Sequence, residues 1–274
     1  MRMEKFYLSK TAIPMSTRID LEIGDGLATV ILHNPAKLNA VNAAMWRGLS
    51  AAMKRIASDS DVRCVILRGA GDDAFAAGGD IEEFQRVRTT VDDALHYHED
   101  LVASALDAIR DCAVPTVAAI RGACIGGGLE IAGCCDIRIA GESSRFGAPI
   151  NRLGFSMYPG EMAGLLALVG PAVVLEILLE GRILSAREAL QKGLLSRVVD
   201  DEKVFEEAAA CAARICAGAP LVARWHKQWV KRLMGGGALS DAEKREAFAF
   251  LDTADYREGL EAFLAKRPPV FRGR

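Results

Sequence analysis

The sequence predicts an α/β fold that ends in a helical C-terminal region. Apolar, strand-like runs alternate with amphipathic helical stretches over roughly the first 150 residues. Residues 69–81 and 121–136 share one build: a buried strand leads into small residues and glycines, and an acidic residue then opens a helix. From Pro159 onward the pattern is nearly all helical with short breaks.

In chain order, residues 1–17 show little pattern and read as an N-terminal tail, with Met15 as a plausible second start. Ile19, Leu21 and Ile23 then alternate ahead of the turn Gly24-Asp25-Gly26, and Leu27 to Leu32 completes a β-hairpin signal. His33 to Ala40 is a polar loop broken by Pro35. A helix follows in which Met45, Leu49, Met53 and Ile56 recur on one face. Val62–Leu67 reads as a buried strand, and Asp80 is a natural N-cap for the turn Ile81–Phe84. A long, mostly acidic helix is expected over 91–111, and a short buried strand over Val114–Ile120. Leu194–Val199 is the strand-like exception in the helical half. The expected division is a tail (1–17), a core (18–200) and a C-terminal helical region (201–274).

At 274 residues the chain can form one large domain with a substantial core. It is 51% hydrophobic with a formal charge of −2, which suggests neither a nucleic-acid surface nor a polybasic membrane face. Charged residues interrupt the apolar runs before the roughly 18 residues a membrane span needs. The N-terminus shows no long apolar signal region. Seven cysteines, an odd count with no C-x-x-C pair, read as buried reduced thiols. A cytoplasmic protein is the expectation.

No G-x-G-x-x-G follows the first strand and no G-x-x-x-x-G-K-[ST] occurs, so a dinucleotide site or P-loop is not expected. His96 and His98 stand two apart, so on a helix they face different sides. That argues against a metal pair and leaves them as surface residues.

The chemistry-bearing stretch is Gly126-Gly127-Gly128 at a strand-to-helix junction. A turn without side chains lets a ligand atom reach bare peptide N–H groups. The first N–H groups of a helix lack internal partners, and the helix dipole favours negative charge there. Glu130, three residues after Gly127, can project into the same space. Anion-stabilising amides beside a carboxylate suit proton transfer next to a carbonyl. The plainer alternative is a glycine turn that only packs a helix on a strand, with Glu130 solvated.

The sequence resembles the crotonase (enoyl-CoA hydratase/isomerase) superfamily over roughly residues 18–274. The matching pieces are Asn34-Pro35-x-Lys37-x-Asn39-Ala40, Phe75-Ala76-Ala77-Gly78-Gly79-Asp80, Gly122-x-x-x-Gly126-Gly127-Gly128-x-Glu130 and Asp136. Later come Gly181-Arg182-x-x-x-Ala186-x-x-Ala189, Gly193-Leu194 and Phe263-x-x-Lys266-Arg267-x-Pro269-x-Phe271. Each piece alone is weak, and their order is what makes them specific.

The resemblance implies a spiral of β-β-α units closed by C-terminal helices that build trimers or dimers of trimers. It implies an acyl-CoA thioester as substrate, with no metal or redox cofactor. Gly79 and Gly127 N–H would hold the thioester oxygen as it becomes enolate-like. Lys37, Leu38, Ala40, Ala76, Ala77, Gly78, Asp80 and Ile81 fall where the family cradles CoA. Phe263 and Lys266 match positions that reach the CoA nucleotide of a neighbouring subunit; the alternative for them is a packed tail with a solvated cation.

Of the two glutamates that share a water in the family's hydratases, Glu130 matches the first, and the second position is Ile150, which cannot move a proton. Glu161, in a loop about two residues longer than the family's usual one, either substitutes for it or is an exposed carboxylate at a helix N-terminus. The second of these is the plainer reading.

The activity implied is hydratase-like addition of water to a 2-enoyl-CoA, or its removal. Isomerisation or decarboxylation through the same enolate is the near alternative. The distant one is an acyl-CoA-binding member with little turnover. Lysine-rich RNA binding, known in some relatives, is disfavoured by the acidic stretch from Glu82 to Asp100.

Overall fold

A computed structural model describes residues 17–274; the tail expected over 1–17, apart from Thr17, lies outside the described residues. The strands are β1 (Arg18–Gly24), β2 (Leu27–His33), β3 (Cys64–Gly69), β4 (Ala74–Ala76), β5 (Thr116–Ile120), β6 (Ala123–Ile125), β7 (Ile137–Gly141), β8 (Arg145–Gly147), β9 (Leu184–Ser185) and β10 (Arg197–Val199). The helices are α1 (Ala43–Ala57), α2 (Ile81–Val87), α3 (Val91–Leu95), α4 (Ser104–Arg110), α5 (Gly127–Cys134) and α6 (Pro159–Glu180). The remaining ones are α7 (Ala186–Gln191), α8 (Val204–Cys216), α9 (Pro220–Met234), α10 (Asp241–Glu246) and α11 (Ala254–Leu264).

Two sheets result, one of six strands in the order β1-β2-β3-β5-β7-β10 and one of four in the order β4-β6-β8-β9. Pairing is parallel except at β1·β2 and β8·β9. The consecutive pairs β3–β4, β5–β6 and β7–β8 each lay one strand in each sheet. This is the expected β-β-α spiral, and it brings the turn after β4 next to the turn after β6.

The expected hairpin forms, with Gly24 opposite Leu27. On α1, Met45, Leu49, Met53 and Ile56 are fully buried, and each contributes roughly 1.5–3 kcal/mol. Asn42 caps α1 by accepting from Met45 N at 2.9 Å. Helix α8 covers the other face of the large sheet, with Val204, Ala208 and Cys211 packed against Cys64, Ile66 and Val117. The C-terminal region therefore completes the core at its first helix. All seven cysteines are free thiols.

Three expectations need correction, and four short strands carried no signal. The helix expected over 91–111 is α3 and α4 joined by a π-helical segment, His96–Ala103. Asp80 occupies the N-cap position of α2 but makes no capping bond, because its carboxylate accepts from Lys37 Nζ instead. The short strands β4, β6, β8 and β9 are too brief to show an alternating pattern. Finally, α6 is by length and composition apolar enough to cross a membrane, with a mean hydropathy of 2.3 in its most apolar window. Gly170 (φ 73°, ψ 173°) breaks it ahead of Pro171, and Leu165, Val174 and Ile177 are buried while Leu166, Leu175 and Leu179 are exposed.

Candidate active site

The site is built where α5 meets β4. Gly126 takes φ 49° and ψ −117°, a conformation that L side chains resist, and its N–H is fixed by Gly147 O at 2.8 Å. Gly128 then approaches β4 so closely that a Cβ there would lie 2.3 Å from Ala76 O. Val41 bridges the other turn, donating to Gly78 O at 2.8 Å and accepting from Asp80 N at 3.0 Å. Together these contacts bring Gly127 beside Gly79: a Cβ on Gly127 would lie 3.6 Å from Gly79 N. Among the described residues neither glycine N–H has a protein acceptor. A pair of adjacent free amides at a helix N-terminus is a device for a developing oxyanion.

These amides border a cavity of about 170 Å³ that Glu130 and Glu161 also line. Glu130 is 8% exposed and makes no side-chain hydrogen bond or ion pair among the described residues. Burial, and secondarily the charge of Glu161, push its pKa well above the ordinary carboxylate range. Glu161 is 6% exposed, which corrects the plainer reading of it as a solvated carboxylate. It stands in the first turn of α6 and points inward, where His98 Nδ1 lies 2.5 Å from its Oε1.

His98 is likewise no surface residue, its side chain being only 12% exposed. Its ring stacks on Tyr158 at 5.5 Å and meets the edge of Tyr97 at 5.2 Å. His96, two residues away, is exposed and pairs with Asp100. The argument that the two histidines face different sides therefore holds. What fails is its extension to both being on the surface.

Ile150 lines the same cavity from the 3₁₀ turn Pro149–Leu153 and contributes only apolar surface. Residues that sequence reasoning missed complete the wall. Trp46 Nε1 donates to Tyr97 Oη at 3.2 Å, and burial keeps that phenol's pKa raised. Phe84, Phe155 and Arg88 close one side. Trp46 follows the periodic residue Met45 on α1 and carries no separate signal; Tyr97 and His98 sit where the π segment shifts the helical register.

The loop expected to cradle CoA is set by two asparagines. Asn34 Nδ2 donates to Ala40 O at 2.8 Å, and Asn39 Nδ2 to Ala70 O at 2.9 Å and Ala74 O at 2.8 Å. Leu38 and Ile81 are exposed at its rim, while Ala40, Ala76 and Gly78 lie buried beneath. Ala77 N donates to Leu38 O at 3.0 Å. Lys37 Nζ is held by Asp80 and Glu82, each at 2.9 Å. Phe263 and Lys266 line no part of this cavity, and Phe263 is 81% exposed. Asp136 clasps Thr116 N at 2.7 Å and Lys227 Nζ at 2.7 Å, a structural role.

The geometry offers two free amides for an oxyanion, one carboxyl whose pKa is raised by burial, and a second carboxyl group held by an imidazole. Comparison with known proteins places the chain in a family. The enoyl-CoA hydratase/isomerase family model matches residues 22–274. A "Probable enoyl-CoA hydratase" of Rhizobium meliloti is 36% identical over 253 residues, covering 89% of this chain and 94% of that protein. The short-chain-enoyl-CoA hydratase of Clostridium acetobutylicum is 33% identical over 253 residues, covering 90% and 94%. A crystal structure of an enoyl-CoA hydratase/carnithine racemase from Magnetospirillum magneticum superposes with a TM-score of 0.92 at 49% identity, covering 95% of this chain and 97% of that one.

Proposed function

Because the chain belongs to the enoyl-CoA hydratase/isomerase family, we propose that it adds water to the 2,3-bond of a 2-enoyl-CoA, or removes it, with Glu130 and Glu161 as its two carboxylates. The observation that carries this is the shared cavity: both carboxyl groups and the Gly79 and Gly127 amides open onto it.

In the proposed reaction the thioester oxygen accepts from both amides, which draws electron density from the 2,3-bond. Glu161, held in place by His98, takes a proton from water as the water oxygen bonds to C3. Glu130 gives its proton to C2, and proton exchange between the carboxyl groups resets the pair. Charge grows on the thioester oxygen only toward the transition state, so losing one amide typically costs about 3 kcal/mol. Water addition passes no electrons to an acceptor, so the scheme calls for no cofactor beyond the CoA of the substrate.

The exposed rim of Leu38 and Ile81, with Lys37 above it, supports the CoA-cradling assignment of Lys37, Leu38, Ala40, Ala76, Ala77, Gly78, Asp80 and Ile81. Phe263 and Lys266 are proposed to serve a neighbouring copy's CoA in a trimer or dimer of trimers. Exposed apolar residues on α6, α9 and α11, such as Leu175, Leu233 and Leu264, support such packing. Cytoplasmic residence fits seven free thiols.

Ile150 in place of a glutamate favours one second reading: isomerisation or decarboxylation through the same enolate. The guanidinium of Arg88 in the cavity argues against a cationic acyl group. The test is absorbance at the enone-thioester band of crotonyl-CoA, for wild type and Glu130→Gln. Decay that is lost in the variant, with CoA-thioester affinity kept, supports hydration. No decay by the wild type sends the assignment to the second reading, and equal behaviour of the two proteins points to a binding role.

A further inference from the structure

The wall of the cavity holds one charged group that the hydration scheme does not use. Arg88 follows α2 directly, and its guanidinium packs against two aromatic rings that meet edge to face, 4.3 Å from the Phe84 centroid and 4.6 Å from that of Phe155. Its Nη1 is buried without a hydrogen-bond partner, and among the described residues Arg88 makes no ion pair.

A guanidinium nitrogen shut away from water without an acceptor is costly, and such groups in native proteins are ordinarily paired. The two rings, 6.0 Å apart and set at 77° to each other, hold the guanidinium in their corner but take none of its N–H groups. The acids nearby are already engaged: Glu161 with His98 Nδ1, and Glu83 with Ala43 N at 2.7 Å. Burial raises the Glu130 pKa well above the ordinary carboxylate range, which disfavours its charged form. What is missing is a planar acceptor arriving from the cavity.

We propose that Arg88 is a specificity residue that pairs with a carboxylate at the far end of the acyl group, so that the preferred substrates are dicarboxylic acyl-CoA thioesters. This rests on the reading that the cavity holds the acyl chain of a CoA thioester. A carboxylate suits the site because its two oxygens match the guanidinium fork and a space of about 170 Å³ admits a short chain.

The test is equilibrium binding by calorimetry of saturated thioesters, which cannot be hydrated. Succinyl-, glutaryl- and adipyl-CoA are compared with butyryl-, pentanoyl- and hexanoyl-CoA on wild type and Arg88→Met. For at least one chain length the wild type is expected to bind the carboxylated member about tenfold more tightly, and Arg88→Met to bring each pair within about threefold by weakening only the carboxylated one. Retained pentanoyl-CoA binding verifies that the variant is folded. If the variant does not fold, the wild-type preference decides alone.

Equal or weaker binding of every carboxylated member by the wild type overturns the proposal. An equal loss for both members of a pair in Arg88→Met also overturns it, because CoA phosphates are common to both. A carboxylate preference without turnover of any enoyl-CoA upholds the role of Arg88 and removes the hydration reading. Crotonyl-CoA hydration without the preference does the reverse.

Discussion

Nδ1 of His98 stands 2.5 Å from Oε1 of Glu161 across 63 residues of sequence, and this contact holds the Glu161 carboxylate inside the cavity. His98 touches the carboxylate rather than the proposed reacting atoms, so it acts as a positioning residue. We predict that His98→Ala lowers kcat about tenfold with KM within twofold, since a general base held loosely loses rate rather than binding. His98→Asn, with an amide donor, should recover part of the loss. A raised KM at unchanged kcat in steady-state kinetics would contradict the positioning role.

Burial raises the pKa of Glu130, and that ties its charge state to stability. The folded protein retains a proton here that the unfolded chain releases. Its favourable contribution is therefore complete below the ordinary glutamate value and is lost as pH rises toward the raised folded value. Glu130→Gln carries no such charge. The variant's Tm should match wild type near pH 4.5 and exceed it at pH 8, with the gap widening between. A gap that is constant with pH, or that reverses, would show Glu130 to be ionised in the folded state.

The two central glycines should fail in different ways. A Cβ on Gly127 meets Trp46 Cζ2 at 3.0 Å and sits in front of the Gly79 amide, so Gly127→Ala should fold yet lose about 10²-fold or more in kcat. A Cβ on Gly128 runs into the backbone of β4 at 2.3 Å, so Gly128→Ala should unfold at markedly lower temperature. Circular dichroism and turnover together separate the two cases. Similar outcomes for both would count against the oxyanion assignment.

Asn39 fastens the loop at the cavity rim while holding φ at 58°. Asn39→Ala removes donors from two carbonyls, Ala70 O and Ala74 O, and places alanine in a left-handed conformation. About 2–4 kcal/mol of stability should be lost in urea unfolding. A loss under 1 kcal/mol would mean that the loop is held by other contacts.

Much of this was legible in the sequence, for local reasons. The buried face of α1, the hairpin and the glycine triplet are set by spacing of 2, 3 or 4 residues, which periodicity detects. Glu130 was legible because it lies three residues from the amide it serves. Glu161 was legible only as one of two readings, since its partner is 63 positions away and nothing local distinguishes an inward first-turn glutamate from a solvated one. His98 was hidden by the π segment, which shifts the side-chain register of an otherwise ordinary helix. Arg88 was invisible because Phe84 and Phe155, the rings it packs against, come together only when α2 and the segment ahead of α6 pack.

The central claim is that Glu161 supplies the second carboxylate where the sequence has Ile150. The most direct measurement is single-turnover hydration of crotonyl-CoA by wild type, Glu161→Gln and the double variant Glu161→Gln/Ile150→Glu, with butyryl-CoA affinity as the folding control. The expected result is a drop of about 10²-fold or more for Glu161→Gln at unchanged affinity, and recovery of about tenfold in the double variant. A Glu161→Gln rate within twofold of wild type would contradict the account and leave Glu130 as the sole acid–base group.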